Sequence, residues 1–312
     1  MKGSLPLFYF KPTICWVDDE QIFLDAVNNR FQEKYNCLSF NDPQEASKFL
    51  LSYNSPLSDI ILKKELTESD LYGTHDHYPV DINISNIKKI LTIAEKSREI
   101  AVLITDYNMP KLSGLDVCKQ LGDTSIKKIL LTGAASHEKA IAAFNQRLID
   151  KFIQKDLNVS ITLHEYIDDL IYQYFYNKTS DLVAHIEASK PSLLTDITFI
   201  NFFNDWCNKH SIEEFYLINK QGSFLVKDKY GKSSCFVVMS MLDKNEFLRL
   251  NDELVEETNA LLHDMSEGKM MPFFGIGIES WDVIPEKWAN HFYPSEVISG
   301  RENYYWCVVP CE

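Results

Sequence analysis

Five side chains suited to acid, nucleophilic or anion-binding chemistry follow short apolar runs in the first part of this 312-residue sequence. In chain order they are Asp18, Asp19, Asp106, Thr132 and Lys155. If the runs are parallel strands of one sheet, their carboxyl ends meet at one edge, where we expect these side chains to converge. Clustered carboxylates repel one another unless a hard divalent cation lies among them. A hydroxyl and an ammonium can hold an anion added to one carboxylate, so the set suits an acyl phosphate formed on an Asp, with Mg²⁺ as cofactor.

The elements that position these residues follow from the spacing of apolar residues. Short runs rich in β-forming residues predict five strands, at Thr13–Val17, Cys37–Phe40, Ala101–Thr105, Lys128–Leu131 and Lys151–Ile153. After the first run, helical spacing links Ile22, Phe23, Ala26, Val27 and Phe31. Short buried strands that alternate with helices predict βαβ units and a parallel sheet covered on both faces. We therefore expect a doubly wound α/β domain at residues 1–178.

About fifty residues separate the helix near Leu51 from the strand at Ala101, where such a domain needs only a short loop. This segment, at about 54–98, is polar in its middle and returns through a helix that Ser85 caps, so we interpret it as an insertion. His75 and His77 have a spacing that could bind a metal on an extended strand, but a solvated loop is the simpler interpretation.

Residues 179–312 follow a different pattern. Helical stretches precede a strand–turn–strand meander, and apolar runs at 235–241 and 304–309 indicate more sheet, so we expect a separate α+β domain. Residues 180–312 contain 11 basic and 21 acidic residues, which account for −10 of the net charge of −14. So acidic a domain repels a phosphate backbone, which disfavours a broad nucleic-acid surface. Its many aromatic residues are typical of a packed core.

The cysteines and the lack of targeting signals indicate a cytoplasmic protein. No apolar run reaches the roughly eighteen residues that span a bilayer, and the N-terminal stretch lacks the features of a secretory signal. The seven cysteines form no C-x-x-C pair, and most lie in apolar runs, as buried thiols of a reducing compartment do. We interpret Cys307 as a packed thiol and Cys311 as a tail residue.

Four segments resemble the motifs of the receiver domain of bacterial two-component response regulators: WVDDE (16–20), ITDYNMPKLSGLDVCKQL (104–121), ILLTGAA (129–135) and KFIQKD (151–156). The resemblance covers residues 11–178. It implies a CheY-like, flavodoxin-like fold whose five parallel strands have the order 2-1-3-4-5. It also implies a phosphoacceptor switch rather than an enzyme, with no reaction beyond its own phosphorylation and dephosphorylation.

The resemblance implies a role for each matched residue. Asp106 corresponds to the phosphoacceptor, Thr132 to the residue that hydrogen-bonds the phosphoryl oxygens, and Lys155 to the residue that pairs with their charge. Thr132 and Phe152 correspond to the switch pair of the family, in which the ring changes rotamer when the hydroxyl moves. Gly133 would leave room for that motion.

The resemblance also implies a magnesium site. Mg²⁺ would be held by Asp19, Asp106 and the backbone carbonyl of Asn108, with Asp18 acting through a bound water. Gly114 would shape the loop after Asp106 through an unusual backbone angle.

The sequence departs from the family at two places. The residue after Lys155 is Asp156, where the family usually has Pro, and the insertion at 54–98 is longer than the usual connection. The change from Pro to Asp156 affects the loop and therefore how far Lys155 reaches into the site. The longer insertion affects the choice of partner or dimerisation. Neither removes a site residue.

The predicted function is that of a response regulator that takes a phosphoryl group from a sensor histidine kinase or a phosphotransfer protein. Phosphorylation would lead to self-association as a homodimer or to release of the output domain. Residues 179–312 lack a basic recognition helix and the GGDEF, EAL and HD-GYP signatures, so an output that binds a protein or a small ligand is favoured. The alternative is a transcriptional or quorum-sensing type regulator whose output domain binds nucleic acid or a nucleotide.

Overall fold

The computed structural model describes residues 4–58, 84–133, 137–155, 159–189, 193–251, 256–278 and 280–311. The chain divides into two compact units. The first unit comprises residues 10–64 and 92–178, and the second comprises residues 1–9, 65–91 and 179–312. Among the described residues, no helix has both the length and the apolar character that crossing a bilayer requires.

Strands and helices are numbered in chain order. The strands are β1 (Phe8–Tyr9), β2 (Thr13–Val17), β3 (Asn36–Phe40), β4 (Ile100–Asp106), β5 (Lys127–Thr132), β6 (Lys151–Gln154), β7 (Ile212–Leu217), β8 (Phe224–Asp228), β9 (Ser233–Ser240), β10 (Met270–Pro272), β11 (Phe292–Pro294), β12 (Glu296–Ser299) and β13 (Asn303–Pro310). The helices are α1 (Gln21–Phe31), α2 (Pro43–Ser52), α3 (Ile84–Thr92), α4 (Gly114–Leu121), α5 (His137–Asn145), α6 (Val159–Ser189), α7 (Ile197–Lys209), α8 (Met241–Leu250) and α9 (Glu256–Ser266).

The first unit is built around a five-stranded parallel sheet with the order β3-β2-β4-β5-β6. Counted within this sheet, the order is 2-1-3-4-5, which confirms the predicted CheY-like topology. All residues of β2 and β4 are buried, as expected for central strands covered by helices on both faces. Strand order reverses between β2 and β4, where sheets of this kind place their functional sites.

The local sequence explains where the helices of this unit begin. α2 starts after Asp42, whose side chain accepts a hydrogen bond from Gln44 N at 2.8 Å, and Pro43 is its first residue. α4 starts after Ser113, whose Oγ accepts from Asp116 N at 3.2 Å. The core between these helices and the sheet includes Val17, Ala46, Leu50, Leu103, Val117, Leu130 and Ala143.

The second unit has the α+β composition that the sequence predicts. Its six-stranded antiparallel sheet has the order β1-β7-β8-β9-β13-β12, and β10 pairs with β11 in a separate two-stranded sheet. The aromatic residues of α7 pack on the larger sheet, with the ring centroid of Phe203 4.8 Å from that of Phe224 and 5.1 Å from that of Phe236. Phe274 and Trp288 lie in a second apolar cluster.

Three boundaries differ from the expectations. The N-terminal residues were expected in the α/β domain, but β1 belongs to the second unit because it pairs with β7, with Phe8 opposite Tyr216. Ser85 lies inside α3 rather than at its cap. The helix that we expect from about Asn158 to Tyr176, with a continuation into the second domain as a hypothesis, is α6 and extends to Ser189. His75 and His77, like most of the expected insertion, lie outside the described residues.

Candidate functional site

The carboxyl ends of four strands lie at one edge of the parallel sheet. Asp18 directly follows β2, Asp106 ends β4 and Thr132 ends β5. Lys155 directly follows β6, and its backbone N–H donates to Thr132 O at 2.9 Å. The ladders between these strands bring their ends to nearly the same level, so the sheet gathers these residues at one place.

The ammonium of Lys155 lies among three carboxylates at this edge. Its Nζ is 2.8 Å from Asp18 Oδ2, 3.5 Å from Asp106 Oδ1 and 3.8 Å from Glu20 Oε2. Asp18 is only 1% exposed, and its Oδ1 accepts a hydrogen bond from Glu20 N at 3.0 Å. The cation and this backbone donor offset the cost of burying a carboxylate.

Burial has the largest effect on the proton affinity of Asp18. It raises the pKa of this carboxyl above its ordinary value, although the hydrogen bonds from Lys155 and from Glu20 N act in the opposite direction. Burial also acts to lower the pKa of Lys155, but the hydrogen bond and charge of Asp18 outweigh it, and this pKa is raised. The geometry therefore favours the charged form of the Lys155 amine.

The two carboxylate oxygens of Asp106 have different surroundings. Oδ2 accepts a hydrogen bond from Asn108 N at 2.7 Å, which fixes the side chain against the loop after β4. Oδ1 faces the Lys155 ammonium at 3.5 Å, beyond hydrogen-bonding distance. Asp106 is buried, with 8% of its surface exposed.

The hydroxyl of Thr132 is buried at this edge of the sheet. Thr132 is 1% exposed, and Oγ1 has no hydrogen-bond partner among the residues that the structure describes. A buried hydroxyl in this condition costs about 1–3 kcal/mol relative to a paired one. Such a group at the same strand edge as Asp106 and Lys155 suggests a donor kept for a ligand.

Gly114 allows the loop after β4 to close tightly on Asp106. A Cβ on Gly114 would lie 2.1 Å from the backbone oxygen of Asp106 and 2.6 Å from Thr105 Oγ1. Its φ is not in the left-handed region, so the expected unusual backbone angle is wrong, and close approach of the backbone is the reason for this glycine.

The predicted metal ligands are placed unevenly. Asp18 and Asp106 both lie close to the Lys155 ammonium. Asp19, the residue after Asp18, is exposed. Within the described ranges, no three His, Cys, Asp or Glu side chains are grouped closely enough to hold a metal. A Mg²⁺ site does not require three such side chains, because the ion retains several waters and often binds only one or two carboxylates.

The chain is similar to known proteins both over one segment and over its whole length. Residues 65–168 match the family model of the response regulator receiver domain. The response regulator LqsR of Legionella pneumophila is similar over 100% of this chain and 91% of its own, with a TM-score of 0.79 and 28% identity. The chain contains a response regulator receiver domain.

Other solved structures share only part of the chain. An adenylate cyclase from Rhodopirellula baltica covers 56% of this chain and 97% of its own at 15% identity and a TM-score of 0.38. The response regulator TrrA of Thermotoga maritima, solved with Mg²⁺ and BeF, covers 51% and 98% at 20% identity and a TM-score of 0.32. No curated protein matches the chain. The receiver family match begins after Asp18 and Asp19, so the place of these two residues in the receiver domain rests on the sheet itself.

The predicted switch residue of the receiver domain, Phe152, lies on β6 two strands away from Asp106. Its ring is half-buried and makes edge-to-face contacts with His137 and Phe144, at centroid distances of 5.3 and 6.2 Å. Both partners belong to α5, the helix that comes after Thr132 in the chain. The switch role remains a prediction, with Phe152 placed where its rotamer would alter the surface of α5.

Sequence reasoning missed two residues of the receiver site. Glu20 contacts Lys155, and its position directly after the Asp pair was an available signal. Phe23 was assigned only to the apolar face of α1, yet its ring centroid lies 4.3 Å from Lys155 Nζ. Nothing in the spacing of Phe23 and Lys155, more than a hundred residues apart, indicates this contact.

Proposed function

We propose that the protein is a phosphorylation-controlled response regulator whose phosphoacceptor is Asp106. The main support is the buried hydroxyl of Thr132, which has no hydrogen-bond partner among the described residues, at the strand edge where the Lys155 ammonium lies 3.5 Å from Asp106 Oδ1. A hydroxyl donor and a cation beside one carboxylate supply what a phosphoryl group on that carboxylate requires. The donor would be a sensor histidine kinase or a phosphotransfer protein, and the protein would act in the cytoplasm, where ATP-dependent kinases load such donors.

The transfer would move a phosphoryl group from nitrogen to oxygen. Asp106 Oδ1 would attack the phosphorus of a phosphohistidine as the P–N bond breaks, and the donor imidazole would leave with the bonding electron pair. Lys155 would then pair with the new phosphoryl oxygens, and Thr132 Oγ1 would donate to one of them. The backbone N–H of Asn108 would keep Asp106 oriented through Oδ2.

A magnesium ion would bind oxygen donors at this edge of the sheet. Asp19, Asp106 and the backbone carbonyl of Asn108 would hold Mg²⁺, with Asp18 acting through a water, and all are the hard oxygen donors that this ion prefers. Bound there, the ion would neutralise charge on the phosphoryl oxygens during transfer.

The output of the switch would follow from charge. Phosphorylation adds about −1.5 to −2 charges, which Thr132 and Lys155 would bind better in one arrangement of the receiver domain than in the other. The typical coupling free energy between two such states is about 1–3 kcal/mol. Motion of Thr132 would be transmitted through Phe152 to α5. On this helix Ile141 is 40% and Phe144 is 45% exposed, which offers an apolar surface to a second copy of the chain.

The part of the second unit at residues 179–312 would be the output domain. Its net charge of −10 favours binding of a protein or a small ligand over binding of nucleic acid. An electrophoretic shift of nucleic acid by the full-length protein, with an affinity that falls steeply as salt rises, would instead support the alternative output.

The phosphoacceptor assignment can be tested with acetyl phosphate. In the presence of Mg²⁺, we expect the wild-type chain to gain the mass of one phosphoryl group and Asp106→Asn to gain none. The matched control is Asp123→Asn, an exposed carboxylate between α4 and β5 that should leave labelling unchanged. Acid-labile label retained on Asp106→Asn, or an unlabelled wild-type protein in the presence of Mg²⁺, would contradict the assignment.

A further inference from the structure

Three of the seven cysteines lie together in the second unit, on adjacent strands. Cys235 is on β9, Cys307 is on β13, and Cys311 directly follows β13. All three lie in or against one apolar cluster, together with Val237 and Tyr305. The sequence predicts no cysteine pair, because residues 235 and 311 are far apart in the chain.

Two of these thiols touch. Cys235 Sγ lies 2.9 Å from Cys311 Sγ, and both are free thiols. The antiparallel ladder causes this contact, because Cys235 is opposite Val309 and Cys311 is the second residue beyond Val309. Cys311 N also donates to Ser233 O at 3.3 Å, which ties the chain to β9 beyond the end of the ladder. Backbone pairing between β9 and the end of the chain therefore holds the two thiols next to each other.

The two thiols differ in their exposure to solvent. Cys235 is 1% exposed, and burial raises its pKa. Cys311 is half-buried at the surface end of the cluster. An oxidant from solvent therefore reaches Cys311 first, and Cys235 is the neighbouring thiol that can react with the product.

We propose that Cys235 and Cys311 are a peroxide-sensitive dithiol that closes to a reversible disulfide. The Cys311 thiolate attacks one peroxide oxygen, the O–O bond breaks, and the departing oxygen takes a proton as water or an alcohol. The Cys235 sulfur then attacks the Cys311 sulfenic acid, and the S–O bond breaks with loss of water. The two thiols lose two electrons in total, and the peroxide gains them.

The disulfide would fasten the end of the last strand to β9. A dithiol reductant would reopen it by exchange. Neither cysteine belongs to the receiver site, so the disulfide would form independently of phosphorylation.

The test is peroxide treatment of the full-length protein, followed by thiol blocking, digestion and mass spectrometry without reduction. We expect a cross-linked peptide that joins Cys235 to Cys311, with loss of two of the seven free thiols, and its disappearance after dithiothreitol. Cys311→Ser, at the half-buried chain end, should fold and show no cross-link. The control Cys37→Ser removes a half-buried cysteine of the first unit and should leave the cross-link intact.

A second variant identifies the reacting thiol. In Cys235→Ser the sulfenic acid has no neighbour at Cys311, so dimedone should label Cys311 after peroxide. The proposal is overturned if peroxide oxidises Cys37 while Cys311 remains reduced, or if Cys311 pairs only with a cysteine of another molecule.

Discussion

The Lys155 ammonium lies 4.3 Å from the ring centroid of Phe23, as well as 2.8 Å from Asp18 Oδ2. A cation over an aromatic face is attracted by the ring quadrupole. The Phe23 ring and the Asp18 carboxylate therefore both contact the Lys155 ammonium and position it at the edge of the sheet.

Replacing Phe23 should therefore impair phosphorylation through Lys155. A cation–π contact at a partly exposed site is worth about 0.5–1 kcal/mol, which corresponds to a rate change of roughly two- to fivefold. We expect Phe23→Leu to slow labelling by acetyl phosphate by this factor, and Phe23→Tyr to restore the wild-type rate because it keeps a ring. Ile22→Ala, at the neighbouring 86% exposed position, is the control. Equal rates for the Leu and Tyr variants would show that the ring has no part in positioning Lys155.

Thr132→Val should separate stability from function. Valine has nearly the same shape but no buried hydroxyl to satisfy, so we expect the free energy of unfolding to rise by about 1 kcal/mol. Phosphoryl labelling should fall at the same time, and Thr132→Ser should retain it. Both quantities are measurable, by chemical denaturation and by intact mass after acetyl phosphate.

Thr105→Val is the matched control for this pair of measurements. Thr105 is also fully buried, but its Oγ1 donates to Asp106 O at 3.3 Å, so its valine variant should be less stable than the wild type. A Thr132→Val protein destabilised as much as Thr105→Val would contradict our view that the Thr132 hydroxyl is unsatisfied without a ligand.

Two glycines of the receiver domain should respond differently to alanine. At Gly114 the added Cβ would overlap the backbone oxygen of Asp106, so Gly114→Ala should cost about 1–3 kcal/mol or more and displace Asp106. At Gly133 a Cβ meets no atom within 4 Å among the described residues, so Gly133→Ala should fold with near wild-type stability. Thermal unfolding should show that Gly114→Ala is less stable than Gly133→Ala. Equal losses of stability in the two variants would refute this prediction.

The sequence was sufficient to predict the residues at the strand ends. Asp106, Thr132 and Lys155 each follow a buried apolar run, and parallel pairing alone brings the ends of such runs together. Phe23 and Glu20 were missed because their roles depend on how the first turn of α1 lies over Lys155. The contact between Cys235 and Cys311 was missed because it depends on the register of two strands far apart in sequence, which no local pattern encodes.

The boundaries of the structural elements also divide into those that local sequence predicts and those that depend on long-range pairing. The strands of the parallel sheet were predictable from their apolar runs, whereas the two residues of β1 are too few to show a pattern and join the second unit only through pairing with β7. The helix predicted from about Asn158 to Tyr176, with continuation into the second domain as a hypothesis, extends as α6 to Ser189.

Glu99 should be an important stabilising residue of the first unit. This fully buried carboxylate accepts hydrogen bonds from Ser55 Oγ, at 2.6 and 2.8 Å, and from the hydroxyl of Tyr174, and Lys178 Nζ lies 3.9 Å away. Burial and the Glu99 charge raise the pKa of Tyr174, so its hydroxyl remains a donor. Since a hydrogen bond to a charged group is worth about 1.5–3 kcal/mol, Tyr174→Phe should lower the free energy of unfolding by this amount.

The control for this prediction is Tyr166→Phe on the same helix. The contact of Tyr166 with Lys151, at 4.9 Å from the ring centroid, involves its ring and not its hydroxyl, so we expect a change below about 0.5 kcal/mol. Denaturant unfolding of the two variants should differ clearly. If the two variants lose similar amounts of unfolding free energy, the hydrogen bond between Tyr174 and Glu99 does not stabilise the fold.

Asp196 should make the second unit sensitive to acid. Its carboxylate accepts hydrogen bonds from Arg301 N at 2.5 Å, from the Tyr304 hydroxyl at 2.8 Å and from Thr198 N at 2.9 Å. Burial acts to raise the pKa of Asp196, but these hydrogen bonds outweigh it, and the pKa is lowered from its ordinary value of 3.8. Because the unfolded chain then binds the proton more readily, the stability contributed by Asp196 is complete above pH 3.8 and is lost as the pH falls through the lower native pKa.

Asp196→Asn should therefore differ most from the wild type at neutral pH. An amide in this position faces donors with its own N–H groups, so the free energy of unfolding should fall by about 1–3 kcal/mol at pH 7. The difference should shrink as the pH approaches and passes below the native pKa of Asp196, because the wild-type carboxyl also loses its charge. Denaturation at several pH values, with the exposed Asp205→Asn on the same helix as control, measures this directly. A difference between Asp196→Asn and wild type that stays constant down to pH 3 would show that the ionised carboxylate is not what these donors stabilise.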